Sequence, residues 1–449
     1  MKMINNEITF EERDEFKREL IAKKIITLLN NNIDISPMVI DGDWGTGKTE
    51  FCYKLINLYK AEAKQSKVVY IDAFKEDHSN EPLMTILAAI IQLFPNKQQS
   101  ELISKALPAL RFGVRTIAKA SVGWVLKQNA DILSEELDTI IKDSSNAAID
   151  VTVQNILKDH INSDKNIKSL QSALSKLSEK NKIIVFIDEL DRCRPNFAIS
   201  ILENIKHVFN IPNVKFVLVT NTQQLQAAIN KSYGYSINAK KYLEKFIKYS
   251  YTLPINYKNE FHEKTQISIS YFKKLVSEST LTSQVNEQLF HFTDGLIAKN
   301  NLSLREVETF VRYFEIYQSV SKQPLTMRTK FGYLAYTLMS IYLYTFHREL
   351  SAEIQSGKIN VDIIAKALNY TRISFDDSAL RDYPNVLLYG LYTESTTLRS
   401  EILDKSTERQ RQVIYERISL FFDNQYDSSE QNIKILKSAL DVLSLSNDI

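Results

Sequence analysis

Residues 42–49 read Gly42-Asp43-Trp44-Gly45-Thr46-Gly47-Lys48-Thr49, a complete G-x-x-x-x-G-K-[ST] pattern. Closely spaced glycines let successive backbone N–H groups turn inward and cradle phosphate oxygens, and a helix start behind them adds its positive dipole end. In such a loop Lys48 reaches the β- and γ-phosphates of a nucleoside triphosphate and the Thr49 hydroxyl coordinates Mg²⁺. A second acidic pair, Asp188-Glu189, ends the apolar run Ile183-Ile184-Val185-Phe186-Ile187. Asp188 is placed to hold the Mg²⁺ shell and Glu189 to polarise an attacking water, which favours hydrolysis over transfer to a small molecule. A solvated glutamate at a strand end is the plainer alternative for Glu189.

These residues need elements to position them. Pro37-Met38-Val39-Ile40 precedes the loop as a strand and Glu50 to Lys60 follow as a helix, so the nucleotide-binding set runs from Gly42 through Glu50. Further strands are expected at Val68 to Ile71, Ile183 to Ile187, Val214 to Thr220 and Tyr249 to Leu253, the last closed by Pro254. The third has no polar alternation and reads as buried on both faces. Phe16, Leu20, Ile25 and Leu28-Leu29 mark an amphipathic lead-in helix over 9–30, and Pro195 opens a helix carrying Ala198, Ile201, Leu202 and Ile205 on one side. Strands alternating with helices make an α/β fold with a mainly parallel sheet covered on both faces. Asp188 follows Lys48 by 140 positions, more than one crossover needs, so a helical insertion is expected over about 85–175. After Pro254 the strand signal stops. The organisation expected is a core over 1–254, a helical lid over 255–320 and a helical region over 321–449, whose last helix carries Ile433, Leu436, Leu440 and Leu443.

The bulk numbers exclude several classes. A formal net charge of +2 gives no overall attraction to nucleic acid or acidic membranes. Lys127, Lys158, Lys165, Lys168, Lys176 and Lys180 are interleaved with acids and lack the aromatic spacing of a stacking groove, so a nucleic-acid motor or loader stands as the alternative function. Two cysteines, Cys52 and Cys193, rule out a disulfide scaffold and fit a reducing cytosol, and six scattered histidines give no zinc spacing. The charged N-terminus has no secretory h-region. Phe331 to His347 is uncharged but, at about 17 residues, short of a membrane span, and reads as a buried or interfacial helix. No span is expected, and the location expected is cytoplasmic.

Asp41-Gly42-Asp43-Trp44-Gly45-Thr46-Gly47-Lys48-Thr49 resembles the G-[DE]-W-G-[ST]-G-K-[ST] loop of the KAP P-loop NTPases, and Asp188-Glu189-Leu190-Asp191-Arg192-Cys193 resembles their D-D-L-D-R-C motif. Asp72-Ala73-Phe74 followed by Pro82, Tyr242 to Ile247 running on to Leu253-Pro254, and Leu302-Ser303-Leu304-Arg305-Glu306 are similar to further stretches of that family. Glu189 replaces the commoner second Asp, and Asn221 stands where the family often has Asp. The resemblance covers about 10–320. It implies a Mg²⁺-dependent ATPase of the additional-strand class, with strand order 5-1-4-3-2, acting as a nucleotide-driven switch or assembly module. It further implies self-association or a partner protein from the same operon, and bacterial anti-phage defence. Asn221 is then a γ-phosphate or water sensor, or else a turn residue. Arg305 is the lid sensor, and Arg192 or Arg194 an arginine finger, each alternatively paired to a carboxylate such as Asp191 or Glu306.

Overall fold

The structure is a computed structural model and describes residues 8–63, 65–79, 81–106, 165–259, 262–376, 379–395, 400–423 and 431–445. The chain divides into two compact units, Met1–Asp43 with Gly47–Leu253, and Trp44–Thr46 with Pro254–Ile449.

The first unit is built on five parallel strands: β1 (Met38–Asp41), β2 (Lys67–Asp72), β3 (Ile183–Asp188), β4 (Val214–Thr220) and β5 (Tyr249–Thr252), in the order β2-β3-β4-β1-β5. This is the expected 5-1-4-3-2 order read from the other edge. Every residue of β3 is buried, as its unbroken apolar run predicts for a strand covered on both faces. One face of the sheet carries α1 (Glu19–Asn30) and α2 (Lys48–Glu62), where Ile25, Leu29, Leu55 and Tyr59 meet Ile40, Phe186 and Val219. The opposite face carries α3 (Pro82–Ile91), α4 (Pro195–His207) and α5 (Thr222–Tyr233), packed on Val39, Val185 and Leu218. Residues 96–106 and 165–180 are helical; the rest of the expected insertion, 107–164, with Lys127 and Lys158, lies outside the described residues.

The lead-in helix differs from its expected form. It begins at Glu19, and its inward stripe is Ala22, Ile25, Ile26 and Leu29, while Leu20 is left exposed. Residues 10–18 are held otherwise: the Asp14 carboxylate accepts the Arg18 and Glu19 N–H groups, so this side chain caps the helix start and ends any earlier helix.

The second unit opens on an antiparallel pair, β6 (Asn256–Lys258) and β7 (Lys264–Gln266), which the sequence reading does not anticipate. Helices follow: α6 (Ile267–Glu278), α7 (Leu289–Lys299), α8 (Leu304–Val320), α9 (Phe331–Phe346), α10 (Tyr383–Glu394), α11 (Glu408–Phe421) and α12 (Gln431–Leu443). The uncharged α9 is buried along most of its length and shares one core with Phe272, Phe310, Phe314, Leu387 and Leu440. Gly332 and Gly390 are small because a Cβ at either would collide, with the Phe422 ring and with the Tyr336 hydroxyl respectively. α8 starts at a capping box, in which Ser303 Oγ accepts the Glu306 N–H and Glu306 Oε2 accepts the Ser303 N–H. Within this unit the Leu304 N–H also donates to the Gly45 carbonyl (2.9 Å). No helix among the described residues is long and apolar enough to cross a membrane.

Candidate functional site

The site grows from the C-terminal ends of β1, β3 and β4, where an open parallel sheet exposes strand ends, loops and helix starts together. Asp188 is the last residue of β3 and is buried. Its Oδ2 accepts the Tyr70 hydroxyl (3.1 Å) and its Oδ1 accepts the Glu189 N–H (2.8 Å). The Thr49 side chain from the first turn of α2 acts on the same carboxylate, favouring its charged form. Burial pushes the Asp188 carboxyl up to about 6, opposed by these hydrogen bonds. The two distant motifs therefore meet at one carboxylate.

Lys48 opens α2 directly after Gly47, which takes the left-handed φ of 80° as N-cap. Its Nζ donates to the Gly42 carbonyl (2.6 Å) and to the Asp43 carbonyl (2.9 Å). Burial lowers the Lys48 pKa, and Asp191, Asp188, Asp41 and Asp43 act in the opposite direction. A cation held among carboxylates beside a helix start is a site for a polyphosphate with its metal.

Glu189 sits at φ 60°, ψ 27°, a left-handed conformation that costs a non-glycine residue on the order of 1 kcal/mol. The bend directs the chain into the short turn Leu190–Arg192, and Arg192 Nη1 returns to Glu189 Oε1 at 2.9 Å. Asp191, in the same turn, accepts the Thr220 hydroxyl (3.0 Å). Asn221 is the N-cap of α5: its Oδ1 accepts the Gln223 and Gln224 N–H groups, and its Nδ2 donates to Asp43 Oδ1 (3.2 Å). The capping oxygen fits the turn reading, and the amide nitrogen is held by Asp43 of the phosphate loop.

Three expected site residues are held in ion pairs within the first unit. Glu50 bonds Lys54 (2.8 Å) and Arg13 (2.6 Å), which ties α2 to the segment before α1. Arg194 grips Asp77 through Nε and its backbone N–H, so it is one half of an ion pair. Arg192 pairs with Glu189 (2.9 Å). In the second unit Arg305 is exposed in the first turn of α8 and makes no ion pair among the described residues, because Glu306 is taken by the capping box. Trp44 is about half exposed. Gly45, Trp44 and Thr46 belong to the second unit by packing.

Tyr70 and Thr220 also reach this site and are not singled out by the sequence reading, which names Asp191 only within its motif and as an arginine's partner. A tyrosine inside the apolar run Val68-Val69-Tyr70-Ile71 was the available signal, because a buried hydroxyl needs a partner. Cys193 is a buried thiol whose pKa burial raises, which marks it as packing and not as a nucleophile.

A family model described as the KAP family P-loop domain matches residues 18–321, about two thirds of the chain. A search of curated proteins finds no match. Among solved structures, one titled "Structure of the Aeropyrum Pernix ORC2 protein (ADPNP-ADP complexes)" is similar at 12% identity, covering 96% of this chain and 95% of that one, with a TM-score of 0.34.

Proposed function

This chain belongs to the KAP family of P-loop NTPases, and from that membership and the site geometry we propose that it hydrolyses ATP to ADP and phosphate with Mg²⁺. The observation that carries the reading is Asp188: a buried carboxylate at the end of β3 whose charge Thr49 favours and which itself acts on Lys48. Hydroxyl and carboxylate oxygens fit Mg²⁺, which takes few protein ligands and fills its shell with water and phosphate oxygens. Thr49 and Asp188 would hold the ion, which supplies charge neutralisation at the phosphates.

The remaining roles fall to the chain itself. Lys48 and the N–H groups that open α2 bind the phosphate oxygens. Glu189 accepts a proton from the attacking water, and Arg192 orients that carboxylate. Asn221 Nδ2 presents a donor beside the loop. The direct test is phosphate release from ATP by the purified chain: turnover abolished by EDTA and restored by excess Mg²⁺ is expected. Turnover indifferent to the metal removes the proposal.

Arg305, as lid sensor, couples hydrolysis to movement of the helical region. Arg305→Ala is expected to slow turnover about 10- to 100-fold while sparing ATP binding. An equal loss of both would make Arg305 a structural residue. The switch acts with a partner protein or further copies of the chain, in anti-phage defence as its family resemblance implies. Plaque counts on a bacterial host that expresses the chain, with Lys48→Ala as comparison, test that role. Equal plaquing with and without the chain speaks against it.

A further inference from the structure

Residues 231–238, Lys-Ser-Tyr-Gly-Tyr-Ser-Ile-Asn, are all exposed where α5 ends. Tyr235 is 89% exposed, with Tyr233 and Ile237 exposed beside it. Gly234 takes φ 91° with nothing within 4 Å of a Cβ position, so the bend serves to turn the loop outward and not to relieve crowding. Behind the tip stands a fixed aromatic row. The Tyr233 and Tyr242 rings lie 5.3 Å apart with their hydroxyls in contact (3.2 Å), and Tyr242 and Phe246 lie 5.2 Å apart. Lys245 covers Tyr242 and Lys206 covers Phe246 at cation–π distance.

Charge points to the occupant. Between 231 and 245 the chain carries Lys231, Lys240, Lys241 and Lys245 against Glu244 alone. Lys231, Lys240 and Lys241 are exposed and make no ion pair among the described residues. Glu203, a carboxylate beside these residues, accepts the Tyr242 hydroxyl (3.3 Å). Lysines beside an outward-facing aromatic are the two components of single-strand recognition: cations follow the phosphates and a planar ring stacks on unpaired bases. A duplex keeps its base faces stacked and offers the ring nothing.

We propose that this loop and the short helix Ala239–Leu243 bind single-stranded nucleic acid. The same α5 begins at Asn221, whose amide contacts Asp43, so strand and nucleotide act on opposite ends of one helix. The binding itself does not depend on hydrolysis and is measured without nucleotide.

The experiment follows the anisotropy of fluorescein-labelled oligothymidylate and oligouridylate of about 20 nucleotides, and of a duplex of equal length, on titration with the full chain at about 50 and 200 mM salt. Single strands are expected to bind more tightly than the duplex and to weaken as salt rises; the two oligomers tell whether DNA or RNA is preferred. Tyr235→Ala is expected to weaken binding about tenfold, and Lys240→Glu with Lys241→Glu by more, with a shallower salt slope. Unchanged circular dichroism confirms that the variants fold. No binding at low salt, a preference for duplex, or variants that bind like the parent chain would overturn the proposal and leave the surface to a protein partner.

Discussion

Glu189→Gln is expected to bind ATP as the parent chain does and to turn it over about 10²- to 10⁴-fold more slowly, the range lost when a positioned proton acceptor is removed. Two features support this size of effect. The residue holds a left-handed backbone that asparagine or glycine would adopt at lower cost, and such strain is concentrated at functional sites. Its carboxylate is also aimed, since Arg192 Nη1 holds Oε1 at 2.9 Å. Glutamine keeps the size and the backbone but cannot accept a proton from water. Retained binding with blocked turnover, by nucleotide titration and single-turnover assay, supports the assignment; unchanged turnover removes it. Arg192→Ala separates the two roles open to that arginine. Loss of orientation alone lowers turnover by less than about tenfold, whereas an arginine finger supplied to a neighbouring copy would cost about 10³-fold or more.

Much of the first unit is written in local sequence. Strands β1 to β4 are short, mainly apolar runs, while β5 is a mostly exposed edge strand of tyrosine, serine and threonine; the parallel arrangement follows from the helices between them. Asp188 and Lys48 were identified by motif, and only folding brings them together. What local sequence withholds are contacts set by tertiary register. Tyr70 lies beside Asp188 because β2 and β3 pair with Asp72 opposite Asp188, a register that no single strand specifies. Glu50 follows the loop and so reads as a nucleotide residue, yet Lys54, one helical turn on and buried, takes its carboxylate. That pair has the i,i+4 spacing, a signal the sequence reading does not use. Asn221 reads from the sequence as a sensor or a turn residue; that it caps α5 and bonds Asp43 is visible only in the fold. The β6–β7 pair escaped because three-residue strands carry too little alternation to register.

Asp188→Asn is expected to move stability and activity in opposite directions. Burial raises the Asp188 carboxyl to about 6 from its ordinary 3.8, so the folded state holds its proton more tightly than the unfolded state does. This penalty is absent below the unfolded value, grows as pH rises through the window from about 4 to 6, and is complete above it, reaching about 3 kcal/mol. Asparagine carries no charge to desolvate. Its amide oxygen still accepts one bond, but its NH₂ faces one of the donors now served by the carboxylate, which offsets about 1 kcal/mol. The variant without nucleotide should therefore be more stable at pH 8 by about 1–3 kcal/mol in urea unfolding, and no more stable near pH 4. Turnover should fall about 10²- to 10³-fold, because a neutral amide is a poor partner for a divalent cation. Saturating ATP with Mg²⁺ supplies the missing countercharge and should stabilise the parent chain by about 2.7 kcal/mol at a hundredfold excess over Kd, and the variant by much less. A variant destabilised at pH 8, or one that MgATP protects as well as the parent, would mean that the Asp188 carboxylate serves the fold and not the metal.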